Sequence, residues 1–334
     1  MTLSNQHRVL YLSHANQELY DMIRAAVRPG FELLTLDTPD EAERLAKLAE
    51  ADAVICASEK FTPARVAAAA KLKIAHHQGV GFHDTVAWRD LAARGIPLAI
   101  TPGGTAVGVS EHALLLMLAG MKHLAWLDSE TRAGKWHINT IRHTTYQLHG
   151  KTVGIVGIGR IGSALAKLLK PFDVKIWYHD LITLPDAQAK KLGVTKAPLE
   201  QLLAESDIVT IHVPLTPLTR DMIDATALAR MKHTALLVNT ARGGIVNEEA
   251  LVAALKAGRL NGAALDVFEH EPPAKDHPIF ALPNVIVTPH VSAGTRDAFV
   301  TKLDFVFRNL EAFFEGRPIE HQVDYAAEMA AQRK

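Results

Sequence analysis

The sequence predicts an α/β protein of two lobes with mainly parallel sheets, joined by long helices around an active-site cleft. Three observations predict it. Short β-rich apolar runs alternate with helical patterns from end to end, which argues for parallel strands covered by helices on both faces. The alternation restarts after residue 150. With 334 residues and 48% hydrophobic content, the chain is long enough for two lobes and can bury a sizeable core.

Strands are predicted at "RVLYLS" (8–13), "FELLTLD" (31–37), "ADAVICA" (51–57), "LKIAHH" (72–77) and "IPLAI" (96–100). Between them, "TPDEAERLAKLAE" opens as a helix on a Thr-Pro start signal. The second series is "KTVGIVG", "VKIWYHD", "DIVTIHV", "TALLVNT", "GAALDVF" and "NVIVTPH". A long helical stretch from about Val107 to Leu127 joins the two series, and a final helical pattern at 295–315 is expected to pack back on the first lobe. The expected division is a substrate lobe of residues 1–102 plus 291–334 and a dinucleotide-binding lobe of 103–290. A stiff helical join suits hinge closure.

Lys plus Arg equals Asp plus Glu at 36 each, so no charge excess favours nucleic acid or an acidic membrane. The single cysteine, Cys56, lies in the apolar run "AVICA" and reads as a small core residue; no intrachain disulfide is possible. "MTLSNQHRVLYLS" has no signal-peptide h-region, and the longest apolar block, "ALLLMLAGM", falls short of the ~20 residues of a spanning helix. A cytoplasmic protein is expected. No metal site is expected, since the adjacent His76 and His77 of a strand face opposite ways.

In "VGIVGIGRIGSALAKLLKPFDVKIWYHD" (153–180), Gly157, Gly159 and Gly162 fit G-x-G-x-x-G between a buried strand and a helix. The first glycine makes the turn, the second admits a pyrophosphate, and the third allows close helix packing; the helix N-terminus then faces the phosphates. Asp180 ends the next strand at the ~20-residue spacing of a ribose-binding carboxylate. It would repel a 2′-phosphate, and Leu181 and Ile182 supply no arginine, so NAD is expected rather than NADP.

Cofactor chemistry also needs a substrate clamp and a proton donor. Arg242 in "LLVNTARGG", Asp266 and Glu271 in "GAALDVFEHEPP", and His290 in "NVIVTPH" sit at successive strand ends. A guanidinium grips a carboxylate bidentately, a histidine exchanges the alcohol proton, and a carboxylate beside the histidine orients it and favours imidazolium. Together they form a kit for reducing a 2-oxo acid.

The pattern resembles the NAD-dependent D-isomer-specific 2-hydroxyacid dehydrogenases. The resemblance runs through "QGVGFHDTV", "TPGGTAVGVSEHALLLMLA", "GKTVGIVGIGRIG", "HVPLTPLTR", "NTARGGIVNEEALVAAL", "GAALDVFEHEPP" and "VTPHVSAGT", which span almost the whole chain. It implies two Rossmann-like or flavodoxin-like lobes and NAD-dependent interconversion of a small 2-oxo acid and its D-2-hydroxy acid. By that resemblance His290 is the general acid/base, Glu271 its partner, and Arg242 the clamp on carboxylate and carbonyl. Asp266 matches a contact to the nicotinamide carboxamide. Arg160 and Ile161 match the pyrophosphate loop. His212, Val213, Pro214 and Thr240 match the cofactor side of their strand ends, and Val80 and Gly81 the backbone that binds the substrate carboxylate. Residues 107–150 resemble a dimerisation arm, so a homodimer is expected.

Departures bear on the substrate. "GGTA" at 103–106 places Thr105 where many relatives carry an amide, and Ala57 stands where the phosphoglycerate branch carries an arginine. A phosphorylated substrate is disfavoured, also because the sequence ends at Lys334 without room for a regulatory domain. Phe82 and His83 replace the usual residues after the carboxylate loop. Rival readings are an NAD(H)-sensing corepressor-like protein and a phosphite-type dehydrogenase; the formate branch carries glutamine where Glu271 stands.

Overall fold

The computed structural model describes residues 6–331. It divides the chain into two compact units, one taking up the chain to Thr105 and again from Arg296 onward, the other Ala106–Thr295.

The first unit runs β1 (His7–Tyr11), α1 (Gln17–Ala26), β2 (Phe31–Leu34), α2 (Glu41–Glu50), β3 (Ala53–Cys56), α3 (Pro63–Ala68), β4 (Ile74–His77), α4 (Trp88–Ala93) and β5 (Leu98–Ile100). All strands are parallel, in the order β2-β1-β3-β4-β5, a doubly wound sheet. Strand alternation gives it a core on each face. Leu10, Val54, Ala75 and Leu98 meet Phe61, Trp88 and Leu91 on one side. Val9, Tyr11, Ile55 and Ile74 meet Ile23 of α1 on the other. Cys56 is buried, and burial pushes its thiol pKa up, as suits a core residue.

The chain continues through α5 (Thr105–Met121) and α6 (Leu124–Arg132) into β6 (Thr152–Val156), α7 (Arg160–Leu169), β7 (Lys175–His179), α8 (Asp186–Leu192), β8 (Val194–Lys196), α9 (Leu199–Glu205) and β9 (Ile208–Ile211). Then come α10 (Ala225–Arg230), β10 (Leu236–Asn239), α11 (Glu248–Lys256), β11 (Gly262–Leu265) and β12 (Val285–Val287). The seven-stranded sheet has the order β12-β11-β10-β9-β6-β7-β8 with every pair parallel, and reverses direction between β6 and β9. That reversal is the switch point at which doubly wound sheets bind ligands, at the carboxyl ends of their strands. The remaining helices are α12 (Arg296–Phe314) and α13 (Tyr325–Ala331). α12 buries Leu303, Val306, Phe307 and Leu310 against β1, β3 and α1 of the first unit.

The α/β class and parallel sheets are as expected, with three local corrections. The stretch 107–127 is two helices, because His123 between them takes a left-handed φ of 49°. α2 starts at Glu41 with Asp40 as its cap, not at Thr38; the Thr38 N–H and hydroxyl instead donate to Glu43. β8 was not expected: three residues long, it buries only Val194.

Candidate active site

At the end of β6 the glycines meet different demands. Gly157 has φ of 100°, and a Cβ there would stand 2.7 Å from the His212 carbonyl carbon at the end of β9. A Cβ on Gly162 would stand 2.1 Å from the Gly157 oxygen, so only glycine lets α7 start this close to the strand. At Gly159 a Cβ would meet nothing within 4 Å, leaving open the side on which a phosphate can approach. Gly159 caps α7 (Arg160–Leu169) without a side-chain bond, and a helix N-terminus of this kind carries the partial positive charge that favours an anion. Asp180 accepts from Ile158 N–H at 2.8 Å and from Ile182 N–H at 3.0 Å, which fixes its carboxylate beside the glycine turn.

Along the same edge, His212 N–H donates to Val156 O and the Pro214 carbonyl accepts from Thr219, so His212, Val213 and Pro214 form a tied strand end. Burial lowers the His212 pKa to about 3, keeping the ring neutral, and its Nδ1 is a buried nitrogen without a partner. Thr240 Oγ1 is buried and equally unpartnered. Orphaned polar atoms beside an open glycine cradle fit a dinucleotide.

Arg242, Glu271 and His290 follow β10, β11 and β12. Asn239 holds the arginine loop by donating to Arg242 O (2.8 Å) and accepting from Ala241 N–H (3.0 Å). Gly243 fixes that loop against the next: a Cβ there would lie 1.9 Å from the Phe268 carbonyl carbon. His290 Nδ1 and Glu271 Oε2 are 2.7 Å apart, and Phe268 N–H donates to Glu271 Oε1 at 3.0 Å. Burial raises the Glu271 pKa, but the bonds from His290 and Phe268 and the positive charges of His290 and Arg242 outweigh it, leaving a net lowering. Glu271 therefore stays ionised at neutral pH and accepts from Nδ1–H. The Nε2 edge of His290 is left for chemistry.

Asp266 is placed differently from the other three. Its side chain is fully buried, and its carboxylate accepts from Thr288 Oγ1 (2.6 Å), Val291 N–H (2.9 Å) and Ser292 N–H (2.8 Å). Its backbone oxygen accepts from His290 N–H at 2.7 Å. Asp266 thus grips the chain on both sides of His290, whose φ is a left-handed 55°. His112 of α5 adds a bond to Thr288 Oγ1 at 3.1 Å, with Asp266 Oδ1 3.7 Å away. His112, Thr288 and Asn239 were not expected at the site. The signal available was a polar residue at the end of an apolar strand, or a histidine within an apolar helix.

In the first unit, Val80 and Gly81 lie on the turn after β4. His77 Nδ1 accepts from Gly79 N–H (3.0 Å), Thr85 Oγ1 donates to Gly81 O (3.2 Å), and Thr101 N–H donates to Gly79 O (3.0 Å). Phe82 is buried against Trp88, while His83 pairs with Glu328 at 2.8 Å.

Comparison with known proteins bears on the same elements. Residues 114–292 match the sequence model of the D-isomer specific 2-hydroxyacid dehydrogenase, NAD binding domain. The chain belongs to the D-isomer specific 2-hydroxyacid dehydrogenases. It is 41% identical over 251 residues to the glyoxylate reductase of Korarchaeum cryptofilum, covering 75% of each chain. It is 34% identical to the D-3-phosphoglycerate dehydrogenase of Archaeoglobus fulgidus over 95% of its own length, but spans only 59% of that relative. Among solved structures it resembles the TT0316 protein of Thermus thermophilus, with TM-score 0.83 and 34% identity over 95% of this chain and 99% of that one. These 2-hydroxyacid dehydrogenases are NAD-dependent oxidoreductases, and the glycine cradle and Asp180 fit NAD as the cofactor of this member.

Proposed function

We propose that this chain interconverts a small 2-oxo acid and its D-2-hydroxy acid, with His290 as general acid/base, Glu271 as its partner and Arg242 as the substrate clamp. The reading rests above all on the 2.7 Å contact between His290 and an ionised Glu271 on adjacent strand-end loops. NAD supplies or accepts the hydride at C2. During reduction His290 delivers a proton from Nε2 to the forming alkoxide, while Glu271 keeps Nδ1 occupied and the ring in one orientation. Arg242 grips the carboxylate and polarises the carbonyl, and the Val80 and Gly81 backbone is the proposed second hold on the carboxylate.

Further roles are proposed for the cofactor residues. Asp180 takes the ribose hydroxyls; Gly157, Gly159, Arg160, Ile161 and Gly162 cradle the pyrophosphate; His212, Val213, Pro214 and Thr240 line the dinucleotide's path. A homodimer is proposed through residues 107–150, where Leu115, Leu124 and Ile138 are exposed and Trp136 is 77% exposed. Such apolar exposure suits a subunit interface. Among the described residues no helix is long and apolar enough to cross a membrane; a cytoplasmic location is proposed.

The test is NADH consumption over a panel of 2-oxo acids, with Arg242→Ala alongside. Turnover on one or two acids is expected, with kcat/KM falling about 100-fold in the variant, the worth of a lost charge-assisted clamp. NADH binding without turnover on any acid would instead favour a sensing protein. Glu271→Gln tests the acid–base pair: removing the carboxylate that stabilises imidazolium should move the alkaline limb of the reductive kcat/KM profile toward acid. An unmoved limb would remove Glu271 from that role.

A further inference from the structure

At the C-terminal edge of the first unit's sheet, two buried polar side-chain atoms without a partner accompany a lysine whose stem is buried. Lys302 is 7% exposed, and among the described residues its ammonium has neither a hydrogen bond nor an ion pair. Gln78 is 8% exposed, and its Nε2 is buried without a partner. Thr105 Oγ1 is likewise buried and unpartnered. Burial lowers the Lys302 pKa, and a partly desolvated ammonium beside an unpartnered amide N–H₂ and a hydroxyl that can donate suits an oxyanion.

The fold brings the three to one place. α12 lies across the sheet, with Asn309 bonded to His76 of β4 at 3.1 Å and Phe305 edge-on to the same ring at 6.0 Å. Lys302 precedes Phe305 and Asn309 at i, i+3, i+7, on that same helix face. Gln78 follows the last residue of β4, and its N–H still donates to Cys56 O at 2.8 Å, so the alternation that places His76 extends to it. Gly104, next to Thr105, packs on α12: a Cβ there would be 3.2 Å from Ala298 O and 3.6 Å from Lys302 Cγ. Burial lowers the His76 pKa to about 3, so the neighbouring ring is neutral and competes for no anion.

This niche adjoins the proposed carboxylate loop. Thr101 donates from its N–H to Gly79 O at 3.0 Å and from Oγ1 to His77 O at 3.1 Å. From Thr101 to Gly104 the backbone reaches at most about 10 Å. A molecule held by its 1-carboxylate at residues 80–81 and extended along this segment carries its far end toward Lys302.

We infer that Lys302, Gln78 and Thr105 form a subsite for a second acid group, carboxylate or sulfonate, so that the substrate is a 2-oxo acid with an anionic far end. The inference rests on the function proposed above. Its test compares kcat/KM for oxaloacetate, 2-oxoglutarate and sulfopyruvate with that for 2-oxobutanoate and 2-oxopentanoate. In the unmodified protein the doubly acidic compounds should be preferred at least about 10-fold, and Lys302→Met should lose that preference by about 10- to 100-fold. Lys302→Met should melt no lower than the unmodified protein, since methionine keeps the buried apolar stem and removes a partly desolvated charge. Should it melt lower, Thr105→Val, which keeps the shape and removes the hydroxyl, gives the same comparison.

A preference that is absent, or that survives in both variants, overturns the subsite and leaves Lys302 a lysine whose stem alone is buried. If no acid turns over, the thermal shift by succinate relative to butyrate reads the niche without catalysis. A shift lost in Lys302→Met then keeps the subsite and overturns only the reaction; no shift overturns the subsite. Stabilisation by succinate in an active enzyme that shows no preference for doubly acidic substrates marks an independent anion site and overturns the substrate class.

Discussion

Replacing His290 with asparagine is expected to lower the reductive kcat about 10³- to 10⁴-fold, the upper part of what a positioned general acid contributes, with little change in melting temperature. Asparagine is the informative replacement because position 290 has φ of 55°, a conformation that asparagine tolerates and most residues do not. The side chain is 43% exposed, so little packing is lost. NADH affinity should also be retained, since the glycine cradle and Asp180 belong to β6 and β7. Single-turnover reduction with saturating NADH, read against a thermal melt, checks the separation. A loss confined to KM would mean that His290 binds substrate without transferring a proton. A large fall in melting temperature would mean that its bond to Glu271 is structural.

The fold was legible where residues are apolar for a reason that spacing reveals. Four-residue runs such as Ala53–Cys56 and Ile208–Ile211 are wholly buried because parallel strands are covered on both faces, and such runs stand out in a sequence. The exceptions share a cause. β8 is an edge strand burying one residue, so it has no run to show. The break between α5 and α6 falls at Lys122 and His123, with no proline and with an apolar pattern on both sides. Local preference there gives way to the direction the chain must take next.

The site was legible in its chemistry and less so in its support. Glycine spacing, a strand-end aspartate, and an Arg, Glu and His at successive strand ends can be read because each carries a known demand on charge or backbone. What could not be read is who holds whom. Thr288 and His112 are 176 residues apart in the chain yet 3.1 Å apart in space. Asn239 reads as an ordinary polar residue ending "LLVN", although both ends of its amide tie down the Arg242 loop. Such bonds depend on register between elements, which residue type alone does not encode.

Asp266 is where that distinction has the largest expected consequence. Asp266→Ala should destabilise the protein by about 3–5 kcal/mol, because it strands the buried Ser292 N–H, takes the acceptor from the Val291 N–H and leaves Thr288 Oγ1 with His112 alone, an unpaired buried group costing about 1–3 kcal/mol. For a unit of this size that is a fall in melting temperature of roughly 10 °C. Asp266→Asn is the milder companion: one oxygen can still accept, but an amide N–H₂ must then face a backbone N–H, donor against donor. It should fold, with kcat reduced more than NADH affinity, because the loosened segment is the one that carries His290. The contact to the nicotinamide carboxamide implied by the family resemblance makes the opposite forecast, a loss chiefly of NADH affinity. Asp266 already accepts two bonds at Oδ1 and one at Oδ2, so a cofactor amide would have to share Oδ2 with the Ser292 N–H. NADH titration by fluorescence, beside kcat and a thermal melt on the same variant, separates the two. If NADH affinity falls while kcat at saturation and the melting temperature hold, Asp266 belongs to the cofactor; if kcat and melting temperature fall together, it is the residue that positions His290.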